Sequence, residues 1–304
     1  MKPSTLALED GAKIVYCVFE RDCKDFSDES VITILCFNGA FFNILLWEEW
    51  VNRLLKEWRV PGVGLRIVLH DVRGSGEGQP SPNNKTDGRD QFTFDTYVDD
   101  AKFLLCHLNV KRNIISCGMA WGSRPAFVFA TRFPEIVSGL ILYDFSIGVS
   151  TTKEWSGAQK YGAKLAQEKR ERLGIIEPIP DSKRITSHRD RQDCMKAMSA
   201  TSKPKYGSPE NFADAVGLSS TAPLGYPVLI AVGEFDPNLI ASPGGSKEIV
   251  QQLRLRQPST ELSILDATGH ASVKGRPWLC ASVAYDWIHR HVRVDNVNNC
   301  MSNL

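Results

Sequence analysis

No run of apolar residues in this 304-residue chain reaches the roughly 20 that a helix needs to cross a bilayer. The opening residues, MKPSTLALEDG, hold no apolar segment of the kind a secretory signal carries, so neither export nor a membrane partner is expected. Charge of one sign is lacking as well. The 36 Lys and Arg against 35 Asp and Glu leave a formal net charge of +1, which gives no electrostatic ground for nucleic acid or an anionic surface as partner. That balance points to a small, largely uncharged ligand. No two of the eight cysteines are spaced as CxxC, and no zinc-finger spacing is present. Cys36 and Cys117 fall inside apolar runs and read as small core residues, so a reducing, cytoplasmic setting is expected. There is no internal repeat. Nothing implies a metal or an organic cofactor.

What is present is an ordinary globular composition, 42% hydrophobic and 23% charged, in a chain long enough for one large α/β domain with an insertion. TLAL and KIVYCVF flank Asp10-Gly11, a hairpin turn signal. Strands and helices then alternate. VITILCF (31–37), LRIVLHD (65–71), NIISCG (113–118), VSGLILYD (137–144), PVLIAVGE (227–234) and ELSILDA (261–267) read as strands. Residues 43–57, 94–108 and 122–132 read as helices between them. Continuous apolar strands separated by helices predict a mostly parallel sheet of eight strands covered on both faces. Residues 150–222 break the rhythm: they are charge-rich, without a strong strand, and predict a helical insertion, with residues 1–149 and 223–304 forming the core.

Gly118-Met119-Ala120-Trp121-Gly122 follows a buried strand and precedes a helix. Glycines two residues either side of a central position permit a sharp turn that lifts the central side chain above the sheet. The segment resembles the nucleophile elbow of the α/β-hydrolase superfamily, with Ala120 where the nucleophile stands. Further matches follow in the superfamily's order. Phe37-Asn38-Gly39-Ala40 resembles the loop that completes the oxyanion hole, with Asn38 in place of the usual His. Asp71-Val72-Arg73-Gly74-Ser75-Gly76 resembles a structural loop in which Arg73 pairs locally. Gly233-Glu234-Phe235-Asp236 matches the triad acid, and Thr268-Gly269-His270 the triad histidine. The likeness covers about residues 5–292 and implies a helical cap over the site at the C-terminal edge of the sheet.

By that resemblance, Asp236 orients His270, and the backbone N–H groups of Ala40 and Trp121 form an oxyanion hole. Asp144, at the end of the sixth strand, is the alternative acid. Asn38, Phe41, Phe42, Trp47, Trp121 and, from the cap, Trp155 are expected around a mainly apolar pocket. Cap residues Tyr161 and Tyr206 are weaker candidates. Arg124 reads as either a carboxylate anchor or an internal helix pair, the latter preferred, and Lys169-Arg170-Glu171-Arg172 as a solvated helix face. Alanine offers no nucleophile, so covalent catalysis through position 120 is impossible in this sequence. Three readings stand open: an alanine engineered in place of Ser or Asp, a natural alanine beside a working His270–Asp236 general base, and a binding protein without catalysis. The resemblance implies hydrolysis of a small hydrophobic ester, lactone or epoxide of secondary metabolism by a monomer or homodimer. A lyase, isomerase or cyclase driven by His270 is the alternative.

Overall fold

The computed structural model describes residues 1–23, 30–82, 89–147, 153–186, 205–239 and 244–292. Their centre is an eight-stranded sheet: β1 (Ser4–Ala7), β2 (Lys13–Arg21), β3 (Val31–Phe37), β4 (Gly64–Asp71), β5 (Ile114–Met119), β6 (Val137–Tyr143), β7 (Val228–Gly233) and β8 (Glu261–Leu265), in the order β1-β2-β4-β3-β5-β6-β7-β8. The first hairpin is antiparallel, and β2 joins β4 antiparallel. Every later pairing is parallel. All seven residues of β3 are buried, as are all six of β5 and of β7, because these strands are covered on both faces.

Strand alternation divides the core in two. Leu35 and Phe37 of β3 face one apolar cluster, while Ile32, Ile34 and Cys36 face the other. The first cluster is closed by α2 (Phe94–His107) and α3 (Ser123–Arg132), the second by α1 (Glu48–Glu57) and the late helix Pro277–His291. In α1 the buried residues Trp50, Val51 and Leu54 recur at helical spacing and turn one stripe inward. Thr93 caps α2, its hydroxyl accepting from Thr96 N at 3.1 Å. The cysteines at 17, 36, 117 and 280 are buried and unpaired, and Cys36 lies opposite Cys117 across β3 and β5.

Between β6 and β7 the described residues carry no strand. They form α4 (Lys153–Leu173), the single turn α5 (Ser182–Ile185) and α6 (Pro209–Ala215). Residues 150–152 and 187–204 of the expected cap lie outside the described residues. Among the described residues no helix is long and apolar enough to cross a membrane. The C-terminal ends of β3, β5, β6, β7 and β8 lead directly into Asn38, Ala120, Asp144, Asp236 and the His270 loop, so the sheet delivers the candidate residues to one edge.

Candidate active site

The turn after β5 has the geometry its glycines foretell. Ala120 sits at φ 50°, in the left-handed region, which costs a non-glycine residue roughly 1–2 kcal/mol. The chain then passes through one 3-10 turn, Ala120–Gly122, into α3. A Cβ on Gly118 would lie 2.4 Å from Gly122 O, and one on Gly122 would lie 2.2 Å from Asn38 O and 2.4 Å from Phe37 O. Both contacts are with backbone, so neither side chain could be accommodated by a rotamer change. The Trp121 amide falls in the first helical turn, ahead of any intrahelical acceptor.

Asn38 and Asp71 build the neighbouring loop. Asn38 Nδ2 donates to Asp71 Oδ1 at 2.8 Å and to His70 O at 3.1 Å, and Asn38 Oδ1 accepts from Trp47 Nε1 at 2.9 Å. Asp71 also accepts from Ile44 N at 2.9 Å and Glu77 N at 3.1 Å. Burial nevertheless pushes the Asp71 carboxyl up to about 7, against the pull of these donors. Gly76, at φ +54°, is where a Cβ would fall 2.1 Å from Asp71 Oδ2, so a side chain there would displace the carboxylate. These contacts correct two expectations. Asn38 and Trp47 are buried and bonded to each other, so they support the Gly39–Phe42 loop from behind rather than line a pocket. Arg73 does not pair locally. It makes a two-bond clasp on Asp100 of α2, at 2.6 and 2.7 Å, and reaches Asp10 in the first hairpin turn.

The acid and the histidine meet. His270 Nδ1 lies 3.0 Å from Asp236 Oδ2, while Asp236 Oδ1 accepts from Asn238 N at 2.9 Å. Burial disfavours the charged ring, but the hydrogen bond and charge of Asp236, with the charge of Asp144 behind it, outweigh burial and hold the His270 pKa above its ordinary value. Asp144 is fully buried at φ 51°, and its Oδ2 accepts from Ser272 N at 2.7 Å. Burial first, then the nearby Asp236 charge, raise its carboxyl to about 7. His270 is thus bonded to Asp236, with Asp144 standing close by as a second acid.

The insertion reaches this pair. The Trp155 ring meets the His270 ring edge-on, centroids 5.5 Å apart. A Cβ on Gly162 of α4 would lie 2.1 Å from Phe235 O, and one on Gly269 3.1 Å from Ala163 backbone atoms, so α4 packs tightly on the two loops that carry Asp236 and His270. Lys169 donates to Glu234 at 2.7 and 2.9 Å and to Asp266, and Arg170 donates to Ala267 O at 2.9 Å. The first two members of the expected solvated charge run therefore tie α4 to the site loops. Phe42 pairs with Thr186, and Asn43 N donates to Ile185 O at 2.9 Å, so the insertion also touches the Gly39–Phe42 loop.

Ala40 and Phe41 are half-buried beside the elbow's strand end, Phe41 at φ 66°. Trp121 leans on α2, its ring 5.6 Å from those of Phe94 and Tyr97. Tyr161 is exposed, and Tyr206 is turned away to Asp95, its hydroxyl 2.8 Å from Oδ1, so neither tyrosine of the insertion joins the pair.

The alpha/beta hydrolase fold family matches residues 32–173. None of the curated proteins compared matches the chain in sequence. Among solved structures, a putative acyltransferase from Salmonella enterica is similar at TM-score 0.65 and 13% identity, with 95% of each chain covered. A thermophilic esterase from Thermogutta terrifontis is similar at TM-score 0.56 and 18% identity over 95% of this chain and 99% of that one. The epoxide hydrolase CorEH is similar at TM-score 0.56 and 16% identity over 95% of this chain and 99% of that one. The chain is an α/β-hydrolase-fold protein. At these identities the neighbours define the fold alone, which hosts many chemistries.

Proposed function

We propose that this protein hydrolyses a small, largely apolar ester, lactone or epoxide without a covalent intermediate, using His270 as general base and Asp236 as its orienting partner. The observation that carries the reading is the 3.0 Å contact between His270 Nδ1 and Asp236 Oδ2 beside an elbow whose central residue has no nucleophilic atom. The bond to Asp236 fixes the ring and leaves Nε2 for the substrate side. For an ester, Nε2 takes a proton from water as the water oxygen adds to the carbonyl carbon. The carbonyl electron pair moves onto oxygen, which the Ala40 and Trp121 amides would hold. Collapse of that adduct expels the alkoxide, which recovers the proton from His270. Phe41, Phe42, Trp121 and Trp155 would supply the apolar walls, and the 150–222 insertion would act as the cap.

A panel of activated esters and epoxides tests this on the unaltered chain, Ala120→Ser and Ala120→Asp, each with and without His270→Ala. The expected result is turnover by the unaltered chain that falls by about 10²–10⁴ in His270→Ala. Because the base works only when neutral and its pKa is raised, the rate should climb with pH to beyond the ordinary histidine range. Turnover only after a residue is restored at 120 would replace the water route by a covalent one, and the better restorer would name it. Silence from every variant would sink hydrolysis and favour a lyase-type reaction or a ligand-binding protein.

A further inference from the structure

Among the described residues three arginines are buried, and two of them face a carboxylate: Arg73 meets Asp100, and Arg276 meets Glu177. Arg124 does not. It stands in the first turn of α3, four residues after Ala120. It is 6% exposed. Its Nη2 donates to Ile147 O at 3.1 Å and to Ser146 O at 3.4 Å, and its guanidinium carbon lies 5.4 Å from the centre of the Phe212 ring of α6. Among the described residues Nε and Nη1 have no acceptor, and no carboxylate lies within ion-pair distance. Burial alone lowers its pKa, to about 10, so the group is still a cation at neutral pH.

A buried cation met, among the described residues, by two carbonyls and an aromatic ring is an unfinished electrostatic arrangement, because these offset its desolvation less completely than an anion does. The helix N-terminus around it adds positive potential of the same sign. Both features favour an incoming anion, and a planar carboxylate suits guanidinium donors. We infer that Arg124 anchors a carboxylate on the ligand of this site, so that the substrate is a small apolar molecule with one anionic end, its reacting bond lying toward His270. The inference rests on the reading that the site lies at the elbow, and it narrows the largely uncharged ligand expected from composition.

Isothermal titration of the unaltered chain with glutaramate, which carries one carboxylate, and with glutaramide, which carries none, tests it. Glutaramate should bind at least tenfold more tightly, and Arg124→Gln should remove that preference while leaving glutaramide affinity unchanged. Equal affinities, or a preference that survives in a folded Arg124→Gln, would overturn the inference. A merely structural arginine would lower the melting temperature in that variant without changing the preference. Should Arg124→Gln fail to fold, the arginine Nε resonance of the unaltered chain, identified by its loss in Arg124→Lys, decides. It should shift with glutaramate and not with glutaramide, and an unmoved signal overturns the anchor. A carboxylate preference in a set of variants that turn over no ester would remove the hydrolytic reading and leave the anchor standing.

Discussion

Gly122 lies where a Cβ would meet two backbone carbonyls, Asn38 O at 2.2 Å and Phe37 O at 2.4 Å, and neither can rotate away. Gly122→Ala should therefore push the elbow off the β3 end and cost about 3 kcal/mol or more, read from urea unfolding. Asn38→Ala tests a different idea. It would strand the Trp47 indole N–H and remove one of the donors to Asp71, both buried, at a cost of roughly 2–3 kcal/mol. A residue lining the pocket would instead alter KM and leave the unfolding midpoint in place. These two residues also mark the limit of sequence reading. The glycines were legible because a left-handed turn and a close backbone approach each demand them. The direction of Asn38 was not, because its partners Trp47, His70 and Asp71 come from different elements and only the fold brings them together.

At the scale of elements, α4 is attached to the site by geometry as well as charge. Gly162→Ala sets a methyl against Phe235 O, 2.1 Å from its ideal position, and should lift the helix from the loops bearing Asp236 and His270. Hydrogen exchange along 160–170 should quicken in that variant, with turnover reduced and the melting temperature lowered. Lys169→Ala removes half-buried to exposed charge contacts and a ring contact with Phe235 but introduces no clash, so exchange in the same stretch should quicken by less, and the difference from the unaltered chain should shrink in high salt. Equal exchange in both variants and the parent would show that neither contact holds the helix. The helix itself could be read from sequence, as could the strands, since apolar periodicity reports an element's own burial. What Lys169 and Arg170 bind could not, because a charge on a helix face has the same pattern whether it meets water or Glu234.

For the whole molecule, the raised carboxyls and the raised histidine act in one direction. Asp71 and Asp144 titrate near 7 in the folded chain, far above the unfolded value, and His270 is also raised. Each such group contributes stability that is complete below its unfolded pKa and is lost as pH rises through its folded pKa. Stability should therefore fall between about pH 4 and pH 7, partly offset below about pH 6.5 by His70, which burial holds neutral with its pKa lowered to about 4. Asp144→Asn keeps an acceptor for Ser272 N and removes one titrating group, so its unfolding free energy should change less steeply over that range. An unaltered slope would show that Asp144 carries its charge without strain. The same sheet edge that gathers these groups also holds Ala120 in the backbone shape a nucleophile would need, φ 50° between two glycines. In the genetic code, alanine codons become serine codons by one base change, and half of them become aspartate codons by another. The elbow's shape is set by several residues and would take many steps to build anew, whereas the missing side chain is a single mutation away. A population of this gene under selection for ester or epoxide hydrolysis should therefore return substitutions at codon 120 before changes anywhere else.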